Sequence, residues 1–149
     1  MKNRLAMRNL ILLFTAIALL SSCNSSKKTT STDGTFLTGT EWTLIKVKDV
    51  MDNSTNKQRT LYVELPDKKG NGVFRGQGGC NLVNGQYDSN SGSKMIHFTN
   101  IISTRMTCDD QTKEYEYLKM LEAVNSYTVA NKILKLYKGG ELILTFQAK

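Results

Sequence analysis

Several residue types are scarce in this chain of 149 residues, and each shortage excludes a class of protein. A single proline excludes a polyproline or collagen-like chain, because both need proline at many positions. No segment recurs at the period of about 20–50 residues that marks solenoids and propellers. One histidine and one tryptophan limit the chemistry that the side chains can perform. The length allows one ordinary domain.

The sequence also lacks the patterns of common active sites. It has no Gly-x-Ser-x-Gly turn, no cluster with metal-ligand spacing and no Cys-x-x-Cys pair. No carboxylate pair occurs in a setting that favours acid–base catalysis, and His97 is the one histidine available as a base. Its place among alternating strand residues indicates a surface or partly buried side chain. We therefore expect no enzymatic activity, no catalytic residues, no cofactor and no metal.

The first 22 residues have the composition of a targeting segment. Three basic residues and no acid occur in this segment, and its apolar run, Leu10–Leu20, is interrupted only by Thr15. A basic region followed by an apolar run of this length is typical of a signal peptide. The run is too short to span a bilayer comfortably, which takes about 20 apolar residues.

A cysteine stands where a lipoprotein signal ends. The residues Leu20-Ser21-Ser22-Cys23 resemble the lipobox of bacterial lipoproteins, which implies cleavage before Cys23 and lipid on its sulfur and new amino group. The alternative is an ordinary signal peptide that happens to end near a cysteine. Asn24 stands where an aspartate retains lipoproteins at the inner membrane of enteric bacteria, and so favours the outer membrane, facing the periplasm. The expected partner is then a membrane, bound through the N-terminal lipid.

Three parts are predicted along the chain: a signal peptide at 1–22, the lipidated cysteine with a flexible tether at 23–37, and a folded domain at 38–149. The tether is mostly polar and buries too little apolar surface to order itself. Removal of residues 1–22 lowers the net charge from +7 to +4, because three basic residues are lost. That is an ordinary charge for solubility, so no nucleic-acid partner is expected.

The domain is predicted to be α+β. Apolar residues alternate with polar ones at Leu61–Leu65 and Lys94–Phe98, which is typical of half-buried strands. Asn131-Lys132 and Gly139-Gly140 favour tight hairpin turns, since such turns need positive φ. The segment Asp110–Val124 has helical spacing instead. About seven or eight strands and one helix predict a curled antiparallel sheet that packs its concave face on the helix.

The predicted helix has one apolar stripe. Tyr115, Leu118, Leu121 and Val124 form this stripe at helical spacing. Glu114 lies off it and is expected to contact water. Aspartates at 109 and 110 precede the helix, where carboxylates favour the positive end of its dipole.

Two cysteines, Cys80 and Cys108, remain once Cys23 carries lipid. In an oxidising compartment an even pair favours a disulfide bond. In the chain-entropy model this bond stabilises the domain by about 3–4 kcal/mol. Two alternatives stay open: a redox-active or catalytic thiol, and two unbonded structural thiols.

Three motifs resemble the META domains of HslJ-like bacterial lipoproteins. They are the opening segment Leu37–Leu44, the segment Gly78–Asn81 with Gly85 and Tyr87 after it, and Ser103–Cys108 before the helix. The resemblance covers nearly all of residues 37–147. It implies an antiparallel sheet wrapped into an incomplete barrel around one helix. It also implies a role in envelope stress and drug tolerance in some bacteria, and no established enzymatic activity.

Within these motifs, Asn81, Thr104 and Arg105 are the candidate ligand-binding residues. Their chemistry favours a scaffold over a site, since Asn81 can hydrogen-bond the surrounding backbone. Arg105 can either hold the bend through its five donors or bind an anionic ligand. The sequence thus predicts a stress-related binding or structural module of the cell envelope. The alternative is a carrier of a hydrophobic ligand, or a pilot-like lipoprotein that binds an envelope protein.

Overall fold

The computed structural model describes residues 35–53, 58–107 and 111–149, all within the second of two units, residues 31–149. The predicted signal peptide, Cys23, Cys108 and the two aspartates before the helix lie outside the described residues. The elements are β1 (Glu41–Val47), β2 (Val50–Met51), β3 (Thr60–Val63), β4 (Asn71–Gln77), β5 (Leu82–Asn90), β6 (Met95–Ser103), α1 (Gln111–Glu122), β7 (Ser126–Ala130), β8 (Ile133–Lys138) and β9 (Glu141–Ala148).

The strands form one antiparallel sheet that closes into a ring. Its order is β2-β1-β3-β4-β5-β6-β7-β8-β9, and β1 also pairs with β9. Eight strands therefore complete the ring, and β2 extends it from β1. Strands β6 and β7 are paired over a short length. Among the described residues their pairing consists of Met95 with Ser126, whereas β8 and β9 share six residue pairs. Within the described residues, an antiparallel sheet with one helix confirms the predicted α+β class.

The hydrophobic core joins the sheet to the helix. Phe74 of β4 and Phe98 of β6 meet edge to face, with ring centroids 5.0 Å apart, and both are buried. The predicted alternation is confirmed at Ile96 and Phe98. It is wrong at Leu65, which is 78% exposed because β3 ends at Val63. The largest fully buried side chains are Trp42, Tyr87, Tyr117, Phe74, Phe98 and Phe146.

Helix α1 lies within the predicted segment, but the face it buries differs at the start. Tyr117 and Leu121 are buried, and Glu114 is only 6% exposed. Tyr115, predicted on the apolar stripe, is 62% exposed. Residues 114, 117 and 121 share one face of a helix. The prediction that Glu114 contacts water is therefore wrong, and its burial needs polar partners.

The two C-terminal hairpins agree with their turn chemistry. Asn131 and Lys132 have φ of 51° and 60°, and Gly139 and Gly140 have φ of 56° and 89°. These are the left-handed conformations that two-residue hairpin turns require. The strands that these turns join bury Leu134, Leu136, Leu144 and Phe146, whereas Leu142 is only partly buried.

Candidate functional site

The bend between β4 and β5, residues Gly78–Asn81, contains the glycine-cysteine-asparagine motif. Gly78 N donates a hydrogen bond to Asn81 O at 2.9 Å, which closes the bend on itself. Gly79 has φ of 122°, a conformation that side chains disfavour. The backbone of Asn81 does not have the positive φ of the left-handed region. The motif therefore depends on the side-chain hydrogen bonds of Asn81 and not on the tolerance of asparagine for positive φ.

Helix α1 holds this bend through the buried carboxylate of Glu114. Its Oε2 accepts hydrogen bonds from the backbone N–H groups of Cys80 at 3.0 Å and Asn81 at 2.9 Å. Its Oε1 accepts a third from Asn81 Nδ2 at 2.8 Å. These three donors replace the water that burial removes from the carboxylate. Glu114 also lies in the first turn of α1, where the helix dipole favours negative charge.

The other end of the Asn81 carboxamide is held by the segment that follows β6. Asn81 Oδ1 accepts hydrogen bonds from Thr104 Oγ1 at 2.9 Å and from Met106 N at 2.7 Å. Thr104 Oγ1 in turn accepts one from Leu82 N at 3.1 Å. A backbone N–H can only donate, so Met106 fixes the oxygen of Asn81 on its side and directs Nδ2 to Glu114. Asn81 therefore joins three segments in one orientation.

The three candidate ligand residues separate in the structure. Asn81 and Thr104 lie together and use their polar groups on each other and on the backbone. Arg105 is exposed, and among the described residues no hydrogen bond or ion pair involves its guanidinium. Its predicted role in holding the bend is thus taken by Glu114. Glu114 was not predicted as a site residue, because a carboxylate on the buried face contradicts the apolar stripe. Its spacing of three residues from Tyr117 is the sequence feature that could have indicated its burial.

Two glycines of the motifs make room for close approach. A Cβ on Gly78 would lie 2.8 Å from Glu114 Cγ and 3.2 Å from Val83 Cγ2. A Cβ on Gly85 would overlap the ring of Phe74. Carbon atoms do not approach so closely without displacement, so each glycine seats a particular buried side chain.

Cys80 lies at the surface of the same bend. Its Sγ is 3.8 Å from Met106 O. Cys108 lies outside the described residues. The pairing with Cys108 therefore stays a prediction.

Tyr87 ties the motif strand β5 to the chain that follows β3. Its hydroxyl donates to Glu64 O at 2.5 Å. Burial, together with the negative charge of Glu64, raises the pKa of Tyr87 to about 12. Tyr87 is thus a neutral hydrogen-bond donor at physiological pH and not a general base.

A buried ion pair lies in the polar segment after β2. Arg59 Nη1 is 2.8 Å from Asp52 Oδ1, and both side chains are less than a tenth exposed. The charges of this pair act on Tyr117 of α1, although burial is the main cause that raises the pKa of Tyr117 above its usual value. The pair brings together the two ends of a segment whose middle lies outside the described residues.

Two open grooves lie beside β4, β5 and β6. The larger, about 520 Å³, is lined by Arg75, Asn84, Gln86 and Asn100 among others, and the second is about 460 Å³. The amides of Asn100 and Gln86 are hydrogen-bonded at 2.6 Å. Both grooves are open to solvent, whereas a carrier of a hydrophobic ligand needs an enclosed apolar cavity.

The family comparison agrees with these motifs and with the closed sheet. The META domain family model matches residues 35–149. The chain belongs to the META domain family. The recognition of a META domain in the sequence is thereby confirmed.

Solved structures share the fold of this META domain. One, an NMR structure of a protein from Burkholderia xenovorans, is 26% identical, with a TM-score of 0.58 over 76% of this chain and 83% of that chain. A second NMR structure is 16% identical, with a TM-score of 0.54 over 72% of this chain and 87% of the other. No curated protein matches the chain.

Two features are absent from the described part of the META domain. No three histidine, cysteine, aspartate or glutamate side chains there are grouped as a metal site. No helix there is long and apolar enough to cross a membrane.

Proposed function

We propose that this chain is a non-enzymatic lipoprotein of the cell envelope whose META domain is a binding or structural module. The observation that carries the proposal is the hydrogen-bond network joining Asn81, Glu114 and Thr104. It engages the polar side chains of the family motifs in holding three segments together. A group that must transfer a proton or attack a substrate needs access and freedom that these side chains do not have.

Arg105 is the motif residue best placed to bind a partner. It is exposed at the end of the ring that carries the network, next to Met106, which is 59% exposed. Thr104 N donates to Leu82 O and Met106 N donates to Asn81 Oδ1, so the backbone on both sides of Arg105 is held in place. A planar cation in this position suits an anionic or carboxylate-bearing partner.

The lipid anchor is proposed from the sequence motif at Cys23. Labelled palmitate should enter the protein, and Cys23→Ala should abolish the labelling. Cys108→Ala is the matched control, since it also removes one cysteine but leaves the lipobox intact. Equal labelling of wild type and Cys23→Ala, or none in either, would overturn the anchor.

We also propose that Cys80 pairs with Cys108. Cys80 Sγ lies beside Met106, two residues before Cys108 in the chain. Native protein should then gain two fewer alkylated cysteines than reduced protein, as counted by mass spectrometry. Full alkylation of Cys80 and Cys108 without reductant would overturn the pairing.

The ring is proposed to be an incomplete barrel that opens between β6 and β7. The narrow pairing at Met95–Ser126 supports this, because each missing pair leaves backbone groups without strand partners. Backbone amides of β6 beyond Ile96 that face β7 rather than β5 should exchange hydrogen faster than those of β8 and β9. Uniform protection around the ring would indicate a closed barrel.

The role in heat and drug stress comes from the family resemblance and is tested in cells. A deletion strain should lose viability under heat or envelope-active drugs, and the wild-type gene should restore it. Arg105→Gln should restore less than the control Lys138→Gln, which removes one exposed cation from the β8–β9 turn. Unimpaired growth of the deletion strain under these conditions would remove the stress role.

A further inference from the structure

We propose that the end of the ring where the chain enters from Cys23 docks on a bilayer surface that carries anionic headgroups. The docking surface consists of Phe36, Leu65, Lys68 and Lys69. The inference rests on the proposed lipid anchor, which brings this surface to a membrane. It adds a second, non-covalent contact between the META domain and the lipid.

The chain enters the domain beside the end of β3. Thr38 bridges Val63 in parallel, and Gly39 N donates to Val63 O at 2.9 Å. Thr40 Oγ1 donates to Phe36 O at 2.8 Å, which folds the entering segment back on itself. Leu65 follows Val63 by two residues. The pairing therefore places Phe36 and Leu65 at the same end of the ring.

These two side chains are the most exposed large hydrophobic groups of the described residues. Phe36 is 71% exposed and Leu65 is 78% exposed. Nothing in the described domain covers them, although nearby Leu37 and Val63 are buried in the core. Apolar tips of this kind favour insertion into the boundary between headgroups and acyl chains.

Cationic side chains adjoin the apolar pair. Lys68 and Lys69 form the tip of the β3–β4 turn, both exposed, and no ion pair among the described residues involves either. The turn is held by Asp67, whose Oδ1 accepts from Lys69 N at 2.8 Å and from Asn71 N at 2.9 Å. The lysine side chains take no part in the turn and are available to anionic headgroups.

The chain length limits how far this surface can be from the lipid. Thr35 follows Cys23 by twelve positions, and even a fully extended chain of that length spans only about 40 Å. Val50, at the other end of β1, is separated from the entry point by the seven-residue strand, about 20 Å long. The entry end is therefore the part of the domain that lies nearest to the anchor along the chain.

The test uses tryptophan as a depth probe in the full-length lipidated protein. Phe36→Trp and Leu65→Trp place a probe on the docking surface. Val50→Trp is the matched control, since Val50 is 70% exposed at the opposite end. The natural Trp42 is fully buried and adds a constant background. Each variant is reconstituted in vesicles of phosphatidylethanolamine and phosphatidylglycerol that contain brominated acyl chains.

Docking predicts quenching and a blue shift of emission at positions 36 and 65, and neither at position 50. Equal quenching at all three positions, or none at 36 and 65, overturns the proposal. The substitutions Lys68→Gln and Lys69→Gln together should lower the ratio of docked to undocked protein by up to about 30-fold in low salt. Added salt or vesicles of phosphatidylcholine alone should act in the same direction.

Acylation of each preparation is measured by mass, which separates the two hypotheses. Acylated protein without quenching at positions 36 and 65 overturns docking and leaves the anchor intact. Protein without lipid that still shows quenching at these positions supports docking and overturns the anchor. Quenching that is insensitive to both lysines overturns the anionic specificity.

Discussion

Two turns of the same sheet are held in opposite ways. The β3–β4 turn is held by its own residues, since Asp67 accepts hydrogen bonds from the backbone of Lys69 and Asn71. The β4–β5 bend is held by Glu114, 33 and 34 residues further along the chain. The first turn can form as soon as its residues meet, whereas the second needs the sheet and helix α1 to be in place.

The β4–β5 bend depends on particular residue types more than the β3–β4 turn does. A local turn tolerates many sequences, because an aspartate and a glycine suffice. The distant contact needs a carboxamide, a carboxylate, a hydroxyl and a glycine together, since each polar group satisfies another in a buried place. The motif is therefore a joint between segments, and its loss should affect the whole domain.

The largest expected effect is that of Asn81→Asp. A second carboxylate then faces Glu114 in a buried site, and the free energy of unfolding should fall by on the order of 3–5 kcal/mol. Urea denaturation measures the loss. Asn84→Asp is the control, because Asn84 is exposed on β5, three residues further along the chain.

An exchange of the two groups tests the network itself. In Asn81→Asp combined with Glu114→Gln, the glutamine oxygen can accept from the backbone N–H groups of positions 80 and 81, and its amide can donate to the new carboxylate. The double variant should be more stable than Asn81→Asp alone and within about 1 kcal/mol of wild type. Additive losses would show that the two side chains do not interact as described.

Gly78→Ala should have the next largest effect on the bend. The added methyl group would meet Glu114 Cγ at 2.8 Å, so the carboxylate must shift and the free energy of unfolding should fall by about 1–3 kcal/mol. Gly92→Ala in the β5–β6 turn is the control, since its methyl group would meet only Asn90 Oδ1 at 3.3 Å. Thermal melts of both variants compare them. Equal losses at the two glycines would contradict the close approach of Glu114.

The hydrogen bond from Tyr87 to Glu64 O joins β5 to the chain just before the β3–β4 turn, and Tyr87→Phe removes it. The pKa of Tyr87 is raised to about 12 from the usual 10, so the unfolded chain loses this proton first as pH rises. Its contribution to stability should be complete below pH 10 and disappear between pH 10 and about 12. Tyr87→Phe should cost about 1 kcal/mol at neutral pH through the lost hydrogen bond, and its stability should decline less over the alkaline range. Parallel pH profiles for both proteins would be the contrary result.

The smallest effect is expected at the local turn. Hydrogen bonds from the backbone N–H groups of Asn71 and Lys69 hold the pKa of Asp67 below its usual range. The contribution of Asp67 to stability is therefore present above its ordinary pKa and is lost as pH falls through the lowered one. Asp67→Ala should lower the melting temperature slightly at neutral pH and not at acid pH. A drop in melting temperature as large as that of Gly78→Ala would show that the β3–β4 turn contributes as much to the stability of the domain as the β4–β5 bend.

Much of the fold was predictable because it depends on neighbours in sequence. The alternation at Ile96 and Phe98 places apolar groups on one face of a strand, and Asn131-Lys132 forms the expected turn. Helix α1 was predicted in place, but its buried face was not, because Glu114 is stabilised by partners that no local pattern specifies. Leu65 was assigned to a strand that ends before it. The scaffold role of Asn81 and Thr104 was predicted, and the part that Glu114 plays in it was not.

The amino-acid sequence determined the strands, the hairpin turns, the position of the helix and membership of the META family, since period, turn chemistry and motif spacing are properties of short segments. Tertiary structure alone decided that the sheet closes through β1 and β9 and that Glu114 is buried against Asn81. A carboxylate on a helix is ordinarily most stable in water. Only the donors that folding gathers around it, from residues more than thirty positions away, make its burial favourable.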